Sequence, residues 1–364
     1  MRVHELETPA VLIDLDVMER NLARMAEYCR RHGLALRPHT KTHKIPELAH
    51  RQMASGASGI TVAKLGEAEV MIQAGLTDVL IAYPIVGREK AARLAALAER
   101  ASLTVALDSE EAVRDISRSA QERGVRLGLL VELDIGFRRC GVQRPDEAVA
   151  LARLIHDLPN VDFRGVMFYP GHFMAPEPER RQLLEDANTR LRRFYDAFER
   201  AGLSIGVVSG GSTPTAFISH EFLGVTEIRP GMYIFNDRTM VGLGVARPED
   251  CALSILVTVV STSVSGRAIV DGGSKTFSTD RYRAGDGRGF GLVCEDPEAE
   301  VEALSEEHGH LDISRSSRRY RVGERLRIIP NHVCTVMNLH DEVYGIRGDQ
   351  VEAVWRVAAR GRVR

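Results

Sequence analysis

The chain has 364 residues, 44% of them hydrophobic and 27% charged, an ordinary globular composition with apolar material for one large domain or for a barrel plus a smaller one. A formal net charge of −2 gives no global field to recruit nucleic acid or an anionic membrane, and the one dense basic run, residues 315–321, reads as a solvated face. The N-terminus has no apolar signal core and no segment approaches the ~20 apolar residues of a membrane span, while Cys29, Cys140, Cys251, Cys294 and Cys334 are odd in number and widely spaced, which together predict a cytoplasmic protein with reduced thiols.

In chain order, a strand-like run at residues 10–13 precedes a first helical pattern at 16–31. β-rich runs then follow at 34–37, 59–62, 79–82, 103–107, 127–132, 165–168, 206–209 and 226–229. Amphipathic helical patterns lie between them at 46–54, 66–74, 88–101, 109–123, 145–157 and 178–201. Eight strands alternating with helices predict an α/β chain folded as a (β/α)8 TIM-type barrel. An open doubly wound sheet is the runner-up, but no GxGxxG follows the first strand. After about residue 245 the texture changes. Runs at 253–261, 268–271, 325–329, 334–339 and 351–357 read as strands, and long helical periodicity is missing. The expected domains are a barrel over residues 15–245 and a mostly-β domain over residues 246–364, joined by the N-terminal strand in residues 1–14.

Active sites of such barrels sit at the C-terminal ends of the strands, so the residues just after each strand carry the functional signal. The first strand runs into Arg37-Pro38-His39-Thr40-Lys41-Thr42-His43-Lys44. An amine crowded by cations gives up its proton more readily and can attack an aldehyde; the plainer alternative is a solvated basic loop. The fifth strand runs into Asp134-Ile135-Gly136-Phe137-Arg138-Arg139-Cys140-Gly141, a tight loop that can aim an arginine into the mouth. The sixth ends in Tyr169-Pro170-Gly171-His172, suited to stacking or proton transfer. The seventh ends in Ser209-Gly210-Gly211-Ser212-Thr213. Its exposed amides and hydroxyls are the pattern that cradles a phosphate, which barrels often place after strands seven and eight. A phosphate site opposite an activated lysine is the layout that pyridoxal phosphate (PLP) requires.

These motifs, in this order, with Pro330-Asn331-His332-Val333-Cys334 and His340-Asp341 near the end, resemble the D-threonine aldolase/D-serine dehydratase family of alanine racemase-like, fold-type III PLP enzymes. The resemblance covers roughly residues 7 to 360. It implies a PLP barrel plus a β domain, a homodimer, an active site at the domain junction, and a small D-amino acid as substrate. By motif match Lys41 is the Schiff-base lysine. Gly210, Gly211, Ser212 and Thr213 hold the phosphate, with Tyr233 nearby. Arg139 contacts the cofactor ring, although Arg138 competes for that place, and Tyr169 and His172 line the substrate side. Lys275 is a second, lower-ranked lysine because it falls in the β domain.

His332 and Cys334 lie two apart on the run read as a strand, where alternation puts both side chains on one face. Imidazole plus thiolate favours Zn²⁺ over Mn²⁺ or Mg²⁺. Spacing alone fits two buried core residues better; the resemblance raises the metal reading. It also implies His with Cys in dehydratase-type members and His with Asp in aldolase-type members. The expectation is a PLP-dependent, metal-assisted lyase acting on small D-β-hydroxy-amino acids. Dehydration of the D-serine or D-3-hydroxyaspartate type, giving a 2-oxo acid and ammonia, is favoured over aldol cleavage to glycine and an aldehyde. Lys41 would serve as catalytic base, with His172, His39 or His43 as the second base. A racemase, a non-catalytic PLP carrier and a phosphosugar barrel enzyme without PLP are the alternatives.

Overall fold

The computed structural model describes residues 1–285 and 287–364. The chain divides into two compact units. One holds Met1–Arg24, Thr42–Ile45 and Met232–Arg360; the other holds Met25–Lys41, Pro46–Gly231 and Gly361–Arg364. The first strand, β1 (Ala10–Asp14), belongs to the first unit and leads into α1 (Leu15–His32).

The barrel unit alternates as the sequence pattern predicts. In order it contains β2 (Ala35–Leu36), α2 (Pro46–Ala54), β3 (Ile60–Val62), α3 (Leu65–Gln73), β4 (Asp78–Ile81), α4 (Arg88–Leu97), β5 (Ser102–Leu107) and α5 (Glu110–Arg123). It continues with β6 (Leu127–Leu133), α6 (Pro145–Asp157), β7 (Val161–Phe168), α7 (Glu179–Arg200), β8 (Val207–Gly210) and β9 (Glu227–Ile228). All neighbours pair parallel, in the order β2-β9-β8-β7-β6-β5-β4-β3. The two ends meet through a parallel bridge between His39 and Thr61, and the Thr61 amide donates to Pro38 O at 2.9 Å. Helices cover the outer face, so the strands are buried on both sides; β6 (LGLLVEL) is buried throughout, as parallel strands are. Inside the barrel, Leu80, Ala106, Leu130 and Met167 from four successive strands pack together, one layer of the filled interior such barrels have. The residues two further along these strands, Ala82, Asp108, Glu132 and Tyr169, therefore point to the mouth.

The β unit carries α8 (Arg238–Gly242), β10 (Leu253–Ser261), β11 (Arg267–Val270), α9 (Ser274–Phe277), β12 (Gly291–Val293), β13 (Glu300–Leu304) and β14 (Gly309–Asp312). They are followed by β15 (Arg325–Pro330), α10 (Val333–Leu339), β16 (Glu342–Arg347) and β17 (Gln350–Arg356). Its nine-stranded sheet runs β11-β14-β13-β12-β15-β10-β1-β16-β17. The N-terminal strand joins this sheet: β1 is antiparallel to β10 and parallel to β16.

One expected strand is wrong. Residues 334–339 form the helix α10, with His332 as its N-cap residue. Val333, Thr335 and Val336 supply a β-branched signal, but the buried positions are Val333, Val336 and Met337. That spacing of i, i+3, i+4 is the helical period, and burial of that face decides the conformation over local propensity.

A tight approach in β7 gives a stability test. Gly165 has φ of 140°, and a Cβ there would lie 2.0 Å from Val207 O and 2.7 Å from Val207 N. Gly165→Ala forces β7 and β8 apart at their shared ladder and is expected to cost about 2 kcal/mol or more. The urea midpoint of the variant measures this; a change within about 0.5 kcal/mol would contradict the packing described.

Candidate active site

In the barrel unit, the turn after β2 places Lys41 in a short 3-10 segment, Thr40–Thr42. Its Nζ lies 5.8 Å from the centroid of the Tyr169 ring. The buried His39 accepts the Lys41 amide proton at Nδ1 (3.4 Å), and its own amide donates to Pro230 O (3.1 Å). That nitrogen of His39 orders the loop. Arg37, grouped by sequence with the mouth cations, turns the other way. Its Nε donates to Glu227 Oε2 and its Nη1 to Asp78 Oδ1, both at 2.7 Å. Asp78 opens β4, so Arg37 serves the N-terminal end of the barrel.

Arg138 and Arg139 have different surroundings. Arg138 adopts φ of 56° and gives its amide to Asp134 Oδ1 (3.0 Å). Arg139 lays its guanidinium over Tyr169 at 4.6 Å and Phe137 at 5.0 Å, a cation–π arrangement. Phe137 also meets Tyr169 edge-on (5.5 Å) and stacks near His172 (6.2 Å, 17°). Asp134 organises this loop. It accepts from the Gly136 and Arg138 amides and from Gln143 Nε2. Burial raises its carboxyl, but these donors outweigh burial and hold it below the usual range. His172 Nδ1 is a buried nitrogen with no hydrogen-bond partner. Burial lowers the proton affinity of this imidazole despite the opposing pull of Asp134, which keeps it neutral and able to accept a proton.

The loop after β8 is shaped by what its glycines exclude. A Cβ on Gly210 would fall 2.2 Å from the Phe168 ring, and Gly211 has φ of 76° with Ser219 Oγ 2.9 Å from its Cβ position. Only glycine allows this approach and this backbone. Ser212 and Thr213 are buried. The Ser212 amide donates to Thr215 Oγ1 (3.0 Å), and Thr213 Oγ1 accepts from the Gly231 amide (3.2 Å). The loop is thus pre-formed, with small residues and hydroxyls where a phosphate group needs close backbone approach.

Two buried charges, Glu132 and Arg229, stand where the fifth and eighth expected strands end, and the sequence reading gave neither a role. Arg229, just past β9, donates to Ser209 Oγ (2.7 Å) and Phe168 O (2.9 Å). Burial brings its guanidinium down to about 10, against Glu227 and Glu132, which favour the charge. Glu132 is 4% exposed. Burial pushes its carboxyl up to about 7, Arg229 and Arg139 acting against that and Asp108 and Asp134 with it. The available signal was a lone acid inside the apolar strand LGLLVEL.

In the β unit, His332 caps α10 and Cys334 sits in its first turn. They are neighbours on a helix start, not along one face of a strand, and their side chains lie within hydrogen-bonding reach. Burial disfavours protonated His332, but Cys334 and Asp237 outweigh it and raise the proton affinity well above the ordinary value. Asp237 Oδ2 lies 3.3 Å from His332 Nδ1. Cys334 Sγ lies 3.4 Å from the hydroxyl of Thr42, the residue after Lys41. His43 is fully buried, its Nδ1 accepting from the Ile45 amide (3.1 Å), and Lys44 Nζ donates to Asn338 Oδ1 (2.8 Å). Lys44 is therefore committed. Lys275 is paired with Glu307 (2.6 Å), and Tyr233 is buried in a short 3-10 turn, Met232–Ile234. Among the described residues no group of three or more His, Cys, Asp or Glu side chains forms a metal cage. The imidazole–thiol pair fits an ion that keeps open positions.

The chain matches the family models for the alanine racemase N-terminal domain over residues 13–239 and for a putative serine dehydratase domain over residues 252–346. It is 33% identical to D-threonine aldolase of Arthrobacter sp, covering 98% of this chain and 93% of that protein. It is 37% identical to D-threo-3-hydroxyaspartate dehydratase of Delftia sp. (strain HT23), covering 98% and 96%. The crystal structure of D-threonine aldolase from Filomicrobium marinum superposes with a TM-score of 0.92 at 35% identity, covering 99% of this chain and 97% of that one. A D-threo-3-hydroxyaspartate dehydratase has also been solved as a histidine-to-alanine variant and, two positions on, as a cysteine-to-alanine variant in a metal-free form, with TM-scores of 0.91 and 0.90 at 34% and 35% identity, covering 98% of this chain and 96% and 98% of those.

Glu132 gives a pH signature. Its carboxyl binds a proton more tightly folded than unfolded, so the stability it contributes is present at low pH and lost as pH rises from 4.5 through about 7. Glu132→Gln removes that dependence. Relative to the parent, the variant is expected to gain stability between about pH 5 and about pH 8, read from urea midpoints of the cofactor-free proteins. A difference constant across that range would contradict the buried, protonated carboxyl.

Proposed function

The chain belongs to the alanine racemase-like, fold-type III PLP enzymes of the D-threonine aldolase/D-serine dehydratase kind, and on that premise we propose that it dehydrates small D-β-hydroxy-amino acids, of the D-serine or D-3-hydroxyaspartate type, to a 2-oxo acid and ammonia. That it is a PLP-dependent lyase goes with the family. The choice of dehydration rests on one observation: the His332 imidazole has a thiol beside it, Cys334, where a carboxylate would favour harder ions. The metal-free cysteine variant of D-threo-3-hydroxyaspartate dehydratase, two positions from its histidine variant, supports the same reading.

In this reading Lys41 would hold the cofactor, and its amine, freed when substrate binds, would take the proton from Cα. The Gly210–Gly211 backbone with Ser212 and Thr213 would receive the phosphate, and Tyr233 would assist. Arg139, lying over the Tyr169 ring, would contact the cofactor ring, and Tyr169 and His172 would line the substrate side. Bound PLP supplies an electron sink for the pair left at Cα. His332 and Cys334 would hold a divalent ion, Zn²⁺ before Mn²⁺ or Mg²⁺, and it would supply Lewis acidity for loss of the hydroxyl. The proposed working form is a cytoplasmic homodimer with no nucleic-acid or membrane partner. No helix among the described residues is long and apolar enough to cross a membrane. A second reading, aldol cleavage, draws on His172. Its unpartnered Nδ1 suits a base for a β-hydroxyl proton, as does its lowered proton affinity.

Borohydride reduction of the PLP-loaded protein followed by peptide mapping should find the label on Lys41; a label on Lys44 or Lys275 would overturn the assignment. With D-threonine, the expected products are 2-oxobutanoate and ammonia, and glycine with acetaldehyde would mean the aldolase reading is correct. Cys334→Ala is expected to lose its bound Zn²⁺ while retaining PLP, and to slow dehydration by roughly 100-fold or more. Undiminished turnover in metal-free Cys334→Ala would remove the ion from the reaction.

A further inference from the structure

The fully buried carboxylate of Asp237 has no place in the reaction just described. It caps α8, with Oδ1 accepting the Met240 amide at 3.0 Å. Its other oxygen, Oδ2, faces the start of α10, 3.3 Å from both the Val333 amide and His332 Nδ1. The two residues after it grip the same segment. Arg238 Nη1 donates to Asn331 Oδ1 (3.2 Å), and Thr239 Oγ1 donates to Asn331 O (2.8 Å). Three consecutive residues of one element thus hold three consecutive residues ending in the segment that carries His332 and Cys334.

We propose that Asp237 is the positioning residue of the metal pair: its carboxylate fixes the His332 ring and holds the proton on Nδ1, leaving the Nε2 lone pair as the metal donor. An imidazole presents one lone pair, and the hydrogen bond made by the other nitrogen decides which. A carboxylate is acceptor-only, so Oδ2 beside Nδ1 selects the Nδ1–H form. The same contact makes the ring a stronger donor and restricts its rotation. Asp237 acts through His332, because its Oδ2 faces the ring nitrogen left out of metal binding. The inference rests on the proposed metal role of His332 and Cys334.

The test uses full-length, PLP-loaded protein and Co²⁺ as the probe, titrated against a chromophoric chelator, with the thiolate–cobalt absorption band as a second readout. Asp237→Ser keeps a good helix cap but removes the carboxylate from the imidazole; Asp237→Asn restores an uncharged acceptor. Asp237→Ser should bind Co²⁺ about 10- to 100-fold more weakly, and Asp237→Asn should fall between it and the parent, with the PLP band unchanged in both. Parent-like Co²⁺ affinity in Asp237→Ser, while His332→Ala and Cys334→Ala lose the band, would overturn the inference and leave the metal reading standing. Parent-like binding in His332→Ala and Cys334→Ala would instead sink the metal reading and this inference with it. If Asp237→Ser fails to fold, ¹⁵N spectra of histidine-labelled, Zn²⁺-loaded parent decide, the His332 signal being assigned by its loss in His332→Ala. A proton on Nδ1 supports the role; a proton on Nε2 overturns it.

Discussion

A guanidinium buried completely inside a barrel must have its charge answered, and Arg229 shows how this one is answered. It donates to Ser209 Oγ and Phe168 O; Ser209 in turn donates to Glu227 (2.5 Å), which is held by Arg37, which reaches Asp78. The chain of contacts ties β9, β8, β7, the end of β2 and the start of β4. Breaking it at one member would strand a charge in a low-dielectric interior, which costs far more than the pair gains over an apolar replacement. The strand ends it immobilises carry Tyr169 on one side and the Gly210–Gly211 loop on the other. That edge of the barrel therefore inherits its geometry from ion pairs beneath it.

Above that network the site is set by close packing. Gly210 presses its backbone on the Phe168 ring, and Gly171 is so close to Phe137 and Tyr169 that a Cβ would fall 2.7 Å and 2.4 Å from them. The aromatic cluster that brackets Arg139 exists because no side chain intervenes. In the β unit the corresponding constraint is polar. Asp237, Arg238 and Thr239 satisfy the segment leading into α10, and the thiol of Cys334 meets Thr42.

The sequence made the barrel legible because its strands are short, buried on both faces and separated by amphipathic helices of ordinary length. All eight lie where the apolar runs are. The loops after strands two, six, seven and eight in the chain were legible as candidates because barrels place function at one rim. What failed did so for identifiable reasons. Residues 334–339 combine β-branched residues with a helical burial period, and only the neighbours that bury Val336 and Met337 choose between them. Arg37 belongs by sequence to a cationic loop, but alternation at the end of so short a strand left its direction open. The contacts of Asp237 lie with residues distant in the chain, so nothing local marked it, and Glu132 carried only the mark of a lone acid in an apolar strand.

The division of the chain has a bearing on synthesis. The β unit owns β1, the stretch from Thr42 to Ile45 and nearly everything after Gly231, while the last four residues belong to the barrel. β1 finds its parallel partner in β16, and Arg347 at the end of β16 pairs with Asp16, 331 positions earlier. At roughly 5–20 residues per second, a ribosome takes on the order of tens of seconds to deliver that partner. Until β10 follows, both edges of the first strand are unpaired, and until β16 follows one still is, the kind of surface that recruits foreign strands. Four of the five residues of β1 are buried in the finished sheet, so the nascent chain carries an apolar strand that its own fold covers on both edges only after β16 has been made.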